Sequence, residues 1–245
     1  MTRYIVLYRG NSNNDKRTHI RRHPAYYVIR RKSDPVKPTH AKISRILNTL
    51  DILYPWDSKC FLDYSTPWQL LFATILSAQC TDDRVNQVTA VLFKQYPNLE
   101  SYAEANLPDL EKVIHSTGFF RAKARHLQES ARKLLSTHQG QLPSDIEALI
   151  SLSGVGRKTA NVVRSHIFNI PSIVVDTHVM RISRRLGLTE QSDPVKIEFD
   201  LMEKLPKTHW IRYNQQIITH GRKVCTARNP KCNECTLSTE CEEKG

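Results

Sequence analysis

The sequence has no run of alternating apolar and polar residues, no βαβ rhythm and no internal repeat. A half-buried strand needs that alternation, so the chain is expected to be all-α. No apolar stretch approaches the roughly 20 residues needed to span a bilayer. The apolar run at 4–8 is too short for a secretory leader, and arginines follow it. The expectation is therefore an intracellular chain, cytoplasmic or at the nucleoid, with no membrane contact. Acidic residues are also in deficit, with 24 Asp and Glu against 36 Lys and Arg, for a formal charge of +12. That excess favours a polyanionic partner. The deficit is uneven. Residues 1–40 hold ten Lys and Arg but only two Asp. Most of the excess thus sits in a basic arm, expected to be flexible and to add non-specific nucleic-acid affinity. Any such role for the body must rest on local features.

Glycine is scarce as well, with eight in the chain, yet Gly154 and Gly156 stand two apart. A short apolar helix runs into Gly154-Val155-Gly156, and a second helix starts at once with Arg157-Lys158-Thr159. A helix N-terminus leaves backbone N–H groups without intrahelical acceptors, and such groups bind phosphate. This helix–turn–helix corner is expected to grip a DNA backbone without reading bases; an ordinary glycine-capped corner has the same pattern. Eighteen residues beyond Lys158, Asp176 follows an apolar run and opens another helix. The remaining helices read from 3.6-residue periodicity and capping signals. Thr66-Pro67-Trp68-Gln69 has the form of a capping box. The helix it starts, 67–79, is apolar almost all round, which places it inside a domain.

Four of the six cysteines crowd into the last part of the chain as Cys225-x6-Cys232-x2-Cys235-x5-Cys241. In a reducing compartment such crowding means metal rather than disulfides. Zinc fits four thiolates, and so does a [4Fe–4S] cluster. A single Cys-x2-Cys knuckle leans toward iron–sulfur, but spacing alone leaves both open. Arg228 and Lys231 in the six-residue gap make a basic loop, either DNA-facing or simply solvated.

The segment from Leu152 to Val163 resembles the helix-hairpin-helix of the endonuclease III family of DNA glycosylases. So do Val175-Asp176-Thr177-His178-Val179, Leu76-Ser77-Ala78-Gln79-Cys80-Thr81-Asp82 and the 6-2-5 cysteine spacing. The match runs in order from about 41 to 241 and leaves the arm outside. Ser153 stands where proline is common, and Cys80 where alanine is usual. The resemblance implies a [4Fe–4S] cluster on the four cysteines. It also implies that Lys158 attacks C1′ of a damaged nucleotide, forms a Schiff base and cuts the strand by β-elimination. Attack needs a free amine, and both the helix N-terminus and Arg157 disfavour an ammonium there. Asp176 would accept a proton or stabilise positive charge at C1′, although it is also a good N-cap.

Extruding a base leaves a gap in the stack. The resemblance assigns Gln79 to fill it and Phe119 to wedge opposite the lesion. A local helix cap and core packing are the plainer alternatives. Arg121 and Lys123 suit phosphates, and Thr159 and His178 suit the backbone beside the turn. The expected architecture is two helical lobes: 61–170 with the hairpin, and 41–60 plus 171–245 with the cluster. DNA would lie in the cleft between them. The expected activity is bifunctional: glycosylase and apurinic/apyrimidinic lyase on oxidised pyrimidines in duplex DNA, performed by a monomer. Mismatch glycosylases of the same superfamily typically lack the lysine. A non-catalytic DNA-binding scaffold with a zinc knuckle is the rival from outside enzymology.

Overall fold

The computed structural model describes residues 38–57 and 59–243; the basic arm lies outside them, apart from its last three residues. Among the described residues there are helices and no strands. In chain order they are α1 (His40–Leu53), α2 (Pro67–Leu76), α3 (Asp82–Gln95), α4 (Leu99–Ala103), α5 (Leu107–Ile114) and α6 (Phe120–His138). Then come α7 (Ile146–Ile150), α8 (Arg157–Ile167), α9 (Thr177–Arg185), α10 (Pro194–Lys204) and α11 (Trp210–Lys223). None is long and apolar enough to cross a membrane.

Short polar residues start most of these helices by accepting a bond from an early N–H. Thr39, Thr81, Asn98, Asn106, Asp145, Asp176 and Asp193 all do so. At α2 the expected capping box is present, with Gln69 accepting from the Thr66 N–H at 3.2 Å. The chain also ends α2 earlier than its periodicity suggests, at Leu76, and Gln79 turns into left-handed backbone (φ 54°). α11 runs through Gly221 to Lys223. A Cβ there would fall 2.3 Å from His178 Nδ1. The glycine therefore permits close approach of α9 and α11 rather than a stop.

Two hydrophobic cores organise the helices. The first joins residues of α2 to α8, with Phe72, Leu76, Leu92, Tyr102, Leu127 and Val163 among its fully buried members. The second joins α1, the extended segment 173–175, α9, α10, α11 and Leu237. The chain passes from one core to the other between α8 and α9, and that passage carries the candidate site.

Candidate active site

The corner before α8 is built by two constraints on Gly154. Its φ is +74°, and a Cβ would lie 2.8 Å from His126 Cβ and Cγ on α6. Only glycine meets both conditions. Val155 is buried in the first core, and its N–H donates to Leu152 O at 3.2 Å. It anchors the corner, and its N–H is already engaged. Gly156 has φ −93° and open space where a Cβ would be. It is the N-cap of α8 and carries no side-chain cap. The first-turn N–H groups of Arg157, Lys158 and Thr159 therefore have no acceptor from the helix itself. Gly156 keeps the approach to them clear.

Lys158 is exposed on this uncapped turn, with Thr159 partly exposed beside it. Asp176 caps α9 by accepting from Val179 N at 2.8 Å, a bond that uses one carboxylate oxygen. His178 is the common neighbour of the two. Burial pushes its imidazole pKa down, Asp176 opposes that shift, and the charges of Arg181, Arg222 and Lys158 reinforce it. Arg181 Nη2 donates to His178 Nδ1 at 3.2 Å, which leaves Nε2 to carry the proton of the neutral ring. Asn161 lies one turn beyond Lys158 and is buried. It donates from Nδ2 to Ile173 O at 3.1 Å. That bond fixes α8 to the segment leading into Asp176. Sequence reasoning passed over Asn161; the signal was a polar residue on the buried face of an amphipathic helix.

Two expected DNA contacts are corrected by the structure. Arg157 binds Glu198 of α10 through both ends of its guanidinium, Nε to Oε2 at 2.7 Å and Nη2 to Oε1 at 2.9 Å. It also lies over the Phe199 ring. Its charge is neutralised by this pair, so the expected repulsion of the Lys158 ammonium is lost. Lys123 is buried, and its ammonium donates to the carbonyls of Leu76, Ala78 and Thr117. It cannot reach a phosphate.

The remaining expected contacts stay open to solvent. Gln79 is exposed, and Phe119 is 68% exposed in left-handed backbone (φ 48°). The core partner of that pair is Phe120, stacked on His115 and packed against the first core. Arg121 is exposed, with its nearest carboxylate, Glu111, at 4.0 Å. Arg228 and Lys231 are exposed on the cysteine loop.

The matching family model is the HhH-GPD superfamily of base excision DNA repair proteins, over residues 72–207. Endonuclease III of Synechocystis is 51% identical over 201 residues, covering 82% of this chain and 91% of that protein. The chain belongs to the endonuclease III family. It is therefore a base excision repair enzyme of the DNA glycosylase and apurinic/apyrimidinic lyase class, as its sequence suggested. Endonuclease III of Escherichia coli is 37% identical over 183 residues, covering 75% of this chain and 87% of that one. A solved structure described as a trapped endonuclease III–DNA covalent intermediate matches with a TM-score of 0.79 at 41% identity, over 83% of this chain and 96% of that one.

The four C-terminal cysteines are free thiols that line one hollow together with Arg185, Val224 and Lys231. Arg185 Nη1 donates to Cys225 Sγ at 3.1 Å, and His220 Nε2 lies 3.6 Å from Cys235 Sγ. Among the described residues, no three His, Cys, Asp or Glu side chains are gathered closely enough for one metal ion. Sulfurs sharing a zinc ion at ~2.3 Å would sit only ~3.8 Å apart.

Proposed function

We propose that this chain removes oxidised pyrimidines from duplex DNA and then cuts the strand at the same site, with Lys158 as nucleophile. The observation that carries this reading is the exposed Lys158 on the uncapped first turn of α8, with Asp176 and His178 opening the next helix. The similar structure described as a trapped endonuclease III–DNA covalent intermediate gives a covalent bond to DNA a precedent.

In the proposed mechanism the strand backbone docks on the N–H groups at Gly156, Arg157, Lys158 and Thr159, with Gly154 and Val155 holding the corner in shape. The Lys158 Nζ lone pair attacks C1′ of the extruded nucleotide. The C1′–N bond breaks, and the base leaves with its electron pair and takes a proton from water. The free oxygen of Asp176 stabilises positive charge at C1′ and takes the proton released by Nζ. His178 holds its neutral ring against the carboxylate. The sugar then opens to an imine, which acidifies the C2′ proton. Water takes that proton, and the C2′ electron pair expels the 3′ phosphate as the C3′–O bond breaks. Gln79 and Phe119 fill the gap left by the extruded base, and Arg121, Arg228 and Lys231 meet phosphates along the strands.

Cys225, Cys232, Cys235 and Cys241 line one hollow and would hold a [4Fe–4S] group. When bound, it would tie the C-terminal loop together. Arg185, donating to a cysteine sulfur, and His220, 3.6 Å from another, are placed to support those thiolates. A purified protein with a brown colour and four irons would agree with this; a colourless, zinc-loaded protein would overturn it.

The activity is tested on a duplex carrying one oxidised pyrimidine, with an undamaged duplex beside it. Base release and a β-elimination nick at the lesion are expected. Base release without a nick would exclude the lyase, and neither product would exclude the reading as a whole.

A further inference from the structure

Lys123 is 4% exposed, yet all three of its ammonium hydrogens have acceptors. Nζ reaches Leu76 O at 2.8 Å, Ala78 O at 2.9 Å and Thr117 O at 2.8 Å. Burial lowers its pKa, and the nearby Cys80 opposes that shift. An ammonium has three donors and no acceptor, so three carbonyls complete it. A buried ion is costly unless it is fully bonded, and all three of these partners are main-chain oxygens.

The places those oxygens come from are informative. Leu76 and Ala78 flank the turn that ends α2, and Gln79 is the next residue. Thr117 lies two residues before Phe119. Gln79 and Phe119 both hold positive φ, 54° and 48°. Non-glycine residues keep that conformation only where their surroundings impose it. Lys123 supplies such a surrounding for both turns at once. Its own N–H also donates to Phe119 O at 3.1 Å. Both wedge candidates are exposed, while the group that links their backbones is buried.

We propose that Lys123 is a positioning residue that fixes the spacing of Gln79 and Phe119, so that the two enter the base stack as one unit. This rests on the wedge roles given above to Gln79 and Phe119. The ammonium touches no substrate atom. It sets where the two turns present their side chains.

The test is Lys123→Met in the full chain, with rates normalised to the folded fraction. Single-turnover base removal from damaged duplex is expected to fall on the order of 100-fold, the effect of misplacing a reacting geometry by about 1 Å. β-Elimination on a single-stranded abasic oligonucleotide, which needs no wedge, is expected to persist. The fluorescence rise of 2-aminopurine placed opposite the lesion is expected to be lost. Parallel losses on both substrates would overturn the proposal, and so would no loss on either. Gln79→Ala and Phe119→Ala run beside it. If neither slows the duplex reaction, the wedge reading fails and this inference fails with it. If they do and Lys123→Met does not, only the positioning role fails.

Should Lys123→Met not fold, Gly118→Ala serves instead. Gly118 has φ +71° and open space around a Cβ, so the change strains only its own turn. The amides of Ala78 and Cys80, bonded to Ile75 O and Ser77 O, are expected to exchange hydrogen faster in that variant. A change confined to residues 117–120 would show that the two turns are not coupled.

Discussion

Replacing Arg157 by alanine separates two jobs that the sequence alone could not distinguish. If Arg157 held a phosphate, its loss would weaken DNA binding and lower the salt slope by ~0.9. The structure gives it to Glu198 instead, through two short bonds, with the Glu198 side chain 7% exposed and the arginine 29% exposed. Removing one partner of a fully buried pair costs ~3–5 kcal/mol, because the other charge is stranded. The partly exposed arginine admits water, which brings the expected loss to about 2–3 kcal/mol. At roughly 2–4 °C per kcal/mol for a chain of this size, the melting temperature should drop by about 5–10 °C. Glu198→Gln should destabilise as well, and Arg157→Ala with Glu198→Gln should cost less than the sum of the two. The assays are thermal melts of the four proteins and a salt titration of abasic-duplex binding. Unchanged stability with a salt slope lowered by about one would refute the reasoning.

The two glycines of the corner should respond differently. Gly154→Ala combines a positive φ with a Cβ 2.8 Å from His126, so it should lose more than ~1 kcal/mol of stability in a denaturant melt. Gly156→Ala has ordinary backbone and open space. Its melt should match the parent while DNA affinity falls, because the methyl group blocks the first-turn N–H groups; equal affinity would count against phosphate docking there. Stability should also decline in mild acid. Burial lowers the pKa of His166 and His178 below the usual 6.5. The unfolded chain then binds protons that the folded one refuses, so stability is full above about pH 6.5 and falls as pH drops toward the folded values. Melts at pH 7.5 and 5.5 check this, and higher stability at the lower pH would contradict it.

The helices were legible because their signals are local. Caps such as Thr39, Thr81 and Asp176 and the apolar run of α2 depend on neighbours in the chain. The hairpin was legible for the same reason, since Gly154 to Lys158 occupy one turn. What escaped were contacts between distant segments. Nothing local marks Glu198 as the partner of Arg157, 41 residues away, or Leu76 O as the acceptor for Lys123, 47 residues away. Both basic residues therefore looked like phosphate ligands, as basic residues near a turn usually do. The role of Gly221 is hidden for a related reason: it comes from His178 on another helix, not from its own chain neighbours. Phe119 and Phe120 are adjacent aromatics that differ only in exposure, which the fold decides.

The central claim is that Lys158 forms a covalent bond with the sugar. Borohydride added to the protein on an abasic duplex should reduce that imine to a stable adduct. Proteolysis and mass spectrometry should place the adduct on the peptide containing Lys158, and Lys158→Gln should give none. The account is contradicted if the intact protein yields no adduct, or if the adduct persists in Lys158→Gln.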